Sequence, residues 1–276
     1  MKKNKIHAVI EVFGMYFLLE LIAFLFSFTF ISQIQRDLLY WNYIITILSA
    51  AVPVLVLLLC KRSFRSYGFQ FKNAKVDMIW ALIFVFLIIL PSLPTLVFGL
   101  ATFDITKPQP QYFVSTLIFQ LIFTGVCEEI YFRGYIQSRL NEGFGRPYIA
   151  KNLQFGPGVT IAALLFGLGH VFNPFYLISG PVEYKIFSGI FAAQFGMLLG
   201  LIREKTGGIF IPILVHGLYN GFVSFFSGLT DPIQTLVIGF GFMIAWIFLF
   251  IVFIKKYKTN IKEHNSDNSI KAIESI

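Results

Sequence analysis

Three polar constellations interrupt apolar stretches of this chain. The first is Glu128-Glu129-Ile-Tyr-Phe-Arg133-Gly134, the second is Phe166 with His170, and the third is His216 with Asn220. A charge at the centre of a bilayer costs on the order of 2.5–3.5 kcal/mol, so such groups need partners or water. Glu129 and Arg133 stand at i and i+4 with the acid first, the favourable order for an ion pair on a helix. On a regular α-helix Glu128 points about 100° away from Glu129, towards something else. One carboxylate is thereby paired and the other is left for chemistry. In a water-poor cavity that carboxylate suits general-base work, and His170 beside it can hold a water for deprotonation. His216 and Asn220 share one face of another segment and offer N–H donors to an oxyanion. Water activation plus oxyanion stabilisation amounts to amide hydrolysis.

Two His and one Glu are also a ligand set for catalytic zinc, here Glu128, His170 and His216. No H-E-x-x-H pattern occurs, which favours a site without a metal or other cofactor. Intramembrane Glu and His also make proton relays, so a proton-coupled transporter stands as a rival use. Glu11 and Glu20 read as structural, His7 and His264 as solvated, and Cys127 as a small buried hydrophobe.

The elements that carry these residues are membrane helices. The 276-residue chain is 57 % hydrophobic and only 13 % charged, against about 25 % charged in soluble domains. Its mean hydropathy is +0.75. Eight apolar segments, near residues 8–32, 41–60, 77–101, 112–138, 158–172, 186–202, 208–228 and 233–254, are candidates to span. The expected fold is an all-α, polytopic helical bundle of about eight transmembrane helices with both termini cytoplasmic. With the N-terminus inside, 18 Lys and Arg fall in inside segments and 3, namely Arg36, Lys107 and Lys185, in outside ones. That skew follows the positive-inside rule. It turns the net charge of +8 into a topology signal, with anionic lipid headgroups rather than nucleic acid as its partner.

Residues 1–258 read as one membrane domain and 259–276 as a polar cytoplasmic tail expected to be disordered. The two cysteines, Cys60 and Cys127, form no pair pattern. Pro91 and Pro94 are expected to kink the third segment. Ala192, Gly196 and Gly200 recur every four residues and predict a close helix-packing face. No internal repeat is evident, which weakens the transporter option.

Depth ties the three constellations together. At about 1.5 Å per residue, Glu128 lies roughly 15 Å from the inner end of its segment, His170 roughly 18 Å and His216 roughly 12 Å. Three independent segments thus place polar groups at similar depth. In order and spacing, E-E-x-x-x-R-G (Glu128, Glu129, Arg133, Gly134), F-x-x-x-H (Phe166, His170) and H-x-x-x-N (His216, Asn220) resemble the motifs of the CPBP intramembrane proteases. That family includes type II CAAX prenyl endopeptidases and the Abi proteins of bacteriocin processing and self-immunity. The resemblance covers roughly residues 110–225. It implies Glu128 and His170 as the water-activating pair, His216 and Asn220 as the oxyanion pair, and Glu129, Arg133 and Phe166 in support. The implied partner is a membrane-associated peptide or protein substrate, in a bacterial cell membrane, reached from a cavity open to the inner face. A non-proteolytic immunity or scaffold protein that keeps the motifs is the remaining alternative.

Overall fold

The computed structural model describes residues 2–39, 41–70, 74–90, 93–97, 99, 102–103, 110–173, 182–227, 244 and 246–257. The tail from residue 259 and the position of Pro91 lie outside these residues. The chain folds as α1 (Lys2–Ser27), α2 (Phe30–Leu39), α3 (Tyr43–Leu59), α4 (Ala74–Ile89) and α5 (Leu93–Val97). One long helix follows, α6, continuous from Pro110 to Phe144, then α7 (Pro157–Val171), α8 (Val182–Thr206) and α9 (Phe210–Val223). Residues 246–256 form a last helical run, α10. Short strands tie loops together. Thr102–Phe103 pairs antiparallel with Phe226–Ser227, and Tyr148–Ala150 with Leu153–Phe155.

The architecture is all-α, and helix falls on each of the eight apolar segments. Among the described residues, three helices are long and apolar enough to cross a membrane: Asn4–Ser27, Tyr112–Phe144 and Lys185–Thr206. Counting α2 and α3 as one bent span makes four. The others are shorter. α7 and α9 have 15 and 14 residues, about 22 and 21 Å at 1.5 Å per residue, less than the roughly 30 Å hydrocarbon core. Eight full-length spans are therefore not what the described helices provide. The third segment divides where its prolines stand, α4 ending at Ile89 and α5 restarting at Leu93.

Small residues set the packing. The face at Ala192, Gly196 and Gly200 lies against α6 and α7. A Cβ on Gly196 would stand 3.2 Å from the Ala163 Cα, and one on Gly200 would stand 3.0 Å from a Val159 methyl. On α7, Gly167 meets the Gly189 carbonyl at 2.5 Å by the same measure. Removing side chains lets van der Waals contact act between helix backbones, the main attraction left once both surfaces are apolar.

Among the described residues, Arg62, Arg139, Arg146 and Arg203, all assigned to one side of the membrane, gather at one end of the bundle. There Glu11 of α1 accepts from Arg62 at 2.5 and 2.9 Å and from Arg139 at 2.9 Å, and Tyr135 donates to it as well. Glu204 of α8, 2 % exposed, accepts from Gln137, Asn141, Arg146 and Arg203. Tyr67 donates to Glu142 at 2.7 Å, and the Lys5 ammonium lies over the Phe144 ring. These bonds clamp α1, the loop after α3, the end of α6 and the end of α8 together.

Breaking a buried ion pair from one side costs about 3–5 kcal/mol, because the remaining charge stays buried. Glu204→Ala strands Arg203, which is 3 % exposed. The variant is expected to lose about that much stability, read as a lowered thermal midpoint of the detergent-purified protein.

Candidate active site

The site is built around a stretch of α6 that is not α-helical. Phe119–Glu128 and Ile130–Ile136 are wound as π-helix, with hydrogen bonds to the fifth residue. A π turn holds more residues, so neighbouring side chains diverge less than on an α-helix, and such turns recur at functional sites. Glu128 keeps a side chain 28 % exposed while Glu129 is fully buried, so the two carboxylates face different surroundings, as expected. Both carboxylates reach one ring. His216 Nδ1 lies 2.7 Å from Glu129 Oε1, and His216 Nε2 lies 3.9 Å from Glu128 Oε2.

Glu129 is fully buried, and its Oε1 also accepts from Arg133 Nη1 at 2.6 Å. Arg133 is 1 % exposed. Its guanidinium sits over the Phe166 ring, 4.6 Å from the centroid, and the missing side chain of Gly196 leaves it room. Phe166 is the hub of the site. Its ring stands 4.5 Å from that of His170, 5.6 Å from that of His216 and 4.9 Å from that of Phe132, each time edge-on. Phe195 closes the other side of His216 at 5.4 Å.

Ring tautomers follow from the partners. A carbonyl oxygen only accepts, so His170 Nδ1–H donates to the Phe166 carbonyl at 2.9 Å, which directs Nε2 away from its own helix. His216 Nδ1–H donates to the Glu129 carboxylate. For His216 to donate from Nε2 as well, the ring must carry both protons.

α6 meets α9 through two glycines. A Cβ on Gly125 would stand 2.9 Å from the Ile213 carbonyl and 3.0 Å from the Gly217 Cα. A Cβ on Gly217 would stand 2.9 Å from the Leu121 Cα. This backbone contact brings His216, the residue before Gly217, against the Glu128–Glu129 step.

A cavity of about 380 Å3 adjoins the cluster, and both Glu128 and His170 line it. α7 ends there, one residue past His170, and Phe166 and Phe132 form part of its wall. His216 lies behind the wall, 1 % exposed. Asn220 neither lines the cavity nor makes a side-chain hydrogen bond among the described residues; its carbonyl accepts from the Ser224 hydroxyl at 2.7 Å. The structure thus brings Glu128, Glu129, Arg133, Phe166, His170 and His216 together and leaves Asn220 one helical turn away. The cavity extends to Arg36, Trp41 and Asn42 at the α2–α3 corner. That is the end of the bundle opposite the basic cluster, not the inner end where the opening is expected from sequence.

Sequence reasoning missed several lining residues. Glu20 of α1 borders the cavity, and the bare Gly169 gives its carboxylate room, a Cβ there standing 3.1 Å from Oε1. The depth count applied to the motifs would have found Glu20, twelve residues or roughly 18 Å beyond Ala8. Tyr131 is 3 % exposed, lines the cavity, and its hydroxyl has no partner among the described residues; neither has Glu128 Oε2. Buried polar atoms without protein partners mark where water or a substrate is met.

The zinc alternative was tested on geometry. Among the described residues, no three His, Cys, Asp or Glu side chains are placed to hold one ion. Nδ1–H of each site histidine is held by an oxygen, which leaves Nε2 toward the site, and Glu128, His170 and His216 are not gathered around one point as an ion would need.

Fold and site together define an integral membrane helical protein with a buried Glu–Arg–His cluster beside a largely apolar cavity that Glu20, Glu128 and His170 border. Residues 110–222 match the type II CAAX prenyl endopeptidase Rce1-like family, and with that the resemblance read from the three motifs holds. That family is one of proteases, and the match covers somewhat less than half of the chain, which supports peptide hydrolysis at the coarse level. No curated protein matches the chain.

Valine at Gly217 cannot be accommodated by side-chain movement, since the atoms it meets belong to the α6 backbone. Gly217→Val is expected to separate α6 from α9 and abolish peptide cleavage. Gly221→Ala meets a Leu117 methyl at 3.5 Å and the Gln120 Cβ at 3.9 Å, both ordinary contact distances, and should leave cleavage intact. Both are read by rate against thermal midpoint.

Proposed function

We propose that this protein is an intramembrane endopeptidase that hydrolyses a peptide bond of a membrane-associated protein or peptide precursor, using water activated by Glu128 and His170. The observation that supports this most is that Glu128 and His170, from α6 and α7, line one cavity, while His216, Glu129 and Arg133 back Glu128 from behind. A water held between the Glu128 carboxylate and His170 Nε2 gives its proton to Glu128 as its oxygen attacks the carbonyl carbon. The proton passes from Glu128 to the leaving amine as the C–N bond breaks. His216, carrying both protons, donates from Nε2 to the oxyanion, and the Glu129 carboxylate at Nδ1 compensates its charge. The Asn220 amide, one turn further along α9, is the second donor. Glu129, Arg133 and Phe166 hold His216 and His170 in orientation, and no step passes through a metal.

Glu128→Gln keeps shape and removes the base. Loss of a general base lowers rate by about 10²–10⁴-fold. The experiment compares peptides released by cells expressing the wild-type protein with those from the Glu128→Gln variant, with membrane insertion checked in both. Released peptides should vanish in the variant. Undiminished release would return the protein to the non-proteolytic class, and ion flux into liposomes would make it a transporter. Chelation of the purified protein should leave its cleavage rate unchanged. Inhibition reversed by zinc would reinstate the metal-dependent mechanism.

A further inference from the structure

The two ends of the bundle differ. At one, Glu11 and Glu204 bind Arg62, Arg139, Arg146 and Arg203 in a network that spans from α1 to α8. Between that network and the cavity stand Tyr131, Phe132 and the buried run 131–141 of α6. At the other end the cavity runs out between the late turns of α1, the early turns of α3 and the end of α7, past Leu19, Ala23, Thr46, Ser49 and Asn173 to Arg36.

α2 marks this second end as a membrane surface. Its Phe30, Ile31, Ile34 and Leu38 are exposed, while its Ser32 and Gln35 are buried. Ser32 donates to the Asn42 side chain at 2.9 Å, and Gln35 accepts from the Ile44 N–H at 3.0 Å. A helix that sets four large apolar side chains outward, with Gln33 and Asp37 exposed beside them and Ser32 and Gln35 turned to the protein, belongs in the interfacial layer, where apolar and aqueous surroundings meet. The 18-to-3 distribution of Lys and Arg places the basic end in the cytoplasm. The cavity end therefore faces the other way.

We infer that the catalytic cavity is served from the extracytoplasmic half of the membrane, so that the substrate is a peptide whose scissile segment is presented on that side. This rests on the endopeptidase function proposed above for its chemistry, though not for its geometry. Such a substrate has been translocated, wholly or in part, before it is cut. Arg36 at the rim and Glu20 and Glu128 within give the cavity a positive entrance and an acidic interior. A peptide with a basic residue close to the scissile bond suits that order of charges.

Cysteine accessibility decides the side. Thr29, exposed at the α1–α2 corner, and Ser49, which lines the cavity, are each replaced by cysteine after Cys60→Ser and Cys127→Ser. Native Cys60, exposed at the basic end, is kept in a Cys127→Ser protein as the opposite marker. Spheroplasts and inside-out vesicles are treated with a membrane-impermeant sulfonated maleimide. Thr29→Cys and Ser49→Cys should react in spheroplasts, and Cys60 only in inside-out vesicles. Reaction of Cys60 in spheroplasts, or of Ser49→Cys only from the inside, would overturn the inference. Labelling reads access and not catalysis. Peptide release that persists in Glu128→Gln would sink the proposed reaction while leaving the sidedness result standing.

Discussion

A single buried carboxylate organises this protein. Glu129 has no exposure to solvent, yet it accepts from a guanidinium on its own helix and from an imidazole on another. An isolated charge in that position would be costly, and the two donors make it tolerable. The same two bonds fix where Arg133 lies over Phe166 and which nitrogen of His216 faces Glu128. Phe166 in turn carries His170 on the next turn of its helix. Once Oε1 of Glu129 holds its two donors, the orientation of the other groups follows from bonds and ring contacts.

The backbone makes this possible in two ways. π winding narrows the angle between consecutive side chains, so that Glu129 bonds His216 while Glu128 borders the cavity and stands 3.9 Å from the other nitrogen of the same ring. The crossing of Gly125 and Gly217 removes the spacing that side chains would impose between α6 and α9. The same economy of side chains recurs at Gly196 and Gly200. Close approach of backbones is how helices in an apolar solvent gain enough contact to hold polar groups in register.

Much of this could be read from residue order. The i, i+4 spacing of Glu129 and Arg133 gave their ion pair, and the common depth of Glu128, His170 and His216 gave their convergence. The packing face on α8 followed from the recurrence of small residues. The helical class followed from composition. Three things could not be read that way. Hydropathy does not report whether a helix bonds to its fourth or its fifth residue, so the π winding of α6 was invisible. Apolar length does not distinguish a span from a short helix packed inside a bundle, so among the described residues three or four helices meet the length of a span and the count of eight is not confirmed. The direction in which the cavity leads depends on which helix ends are covered by the Glu11 and Glu204 networks. Those networks join residues as far apart in the chain as Glu11 and Arg139.

The cavity is shared between two parts of the chain. Glu128, Phe166 and His170 lie within the matched stretch 110–222, whereas Leu19, Glu20, Ala23, Arg36, Trp41, Ile45 and Thr46 come from the first three helices. On the function proposed above, reaction and selection are encoded by different segments. On that reading a new α1–α3 unit grafted onto the same later helices would redirect the protein to other cargo while its chemistry stayed as it was.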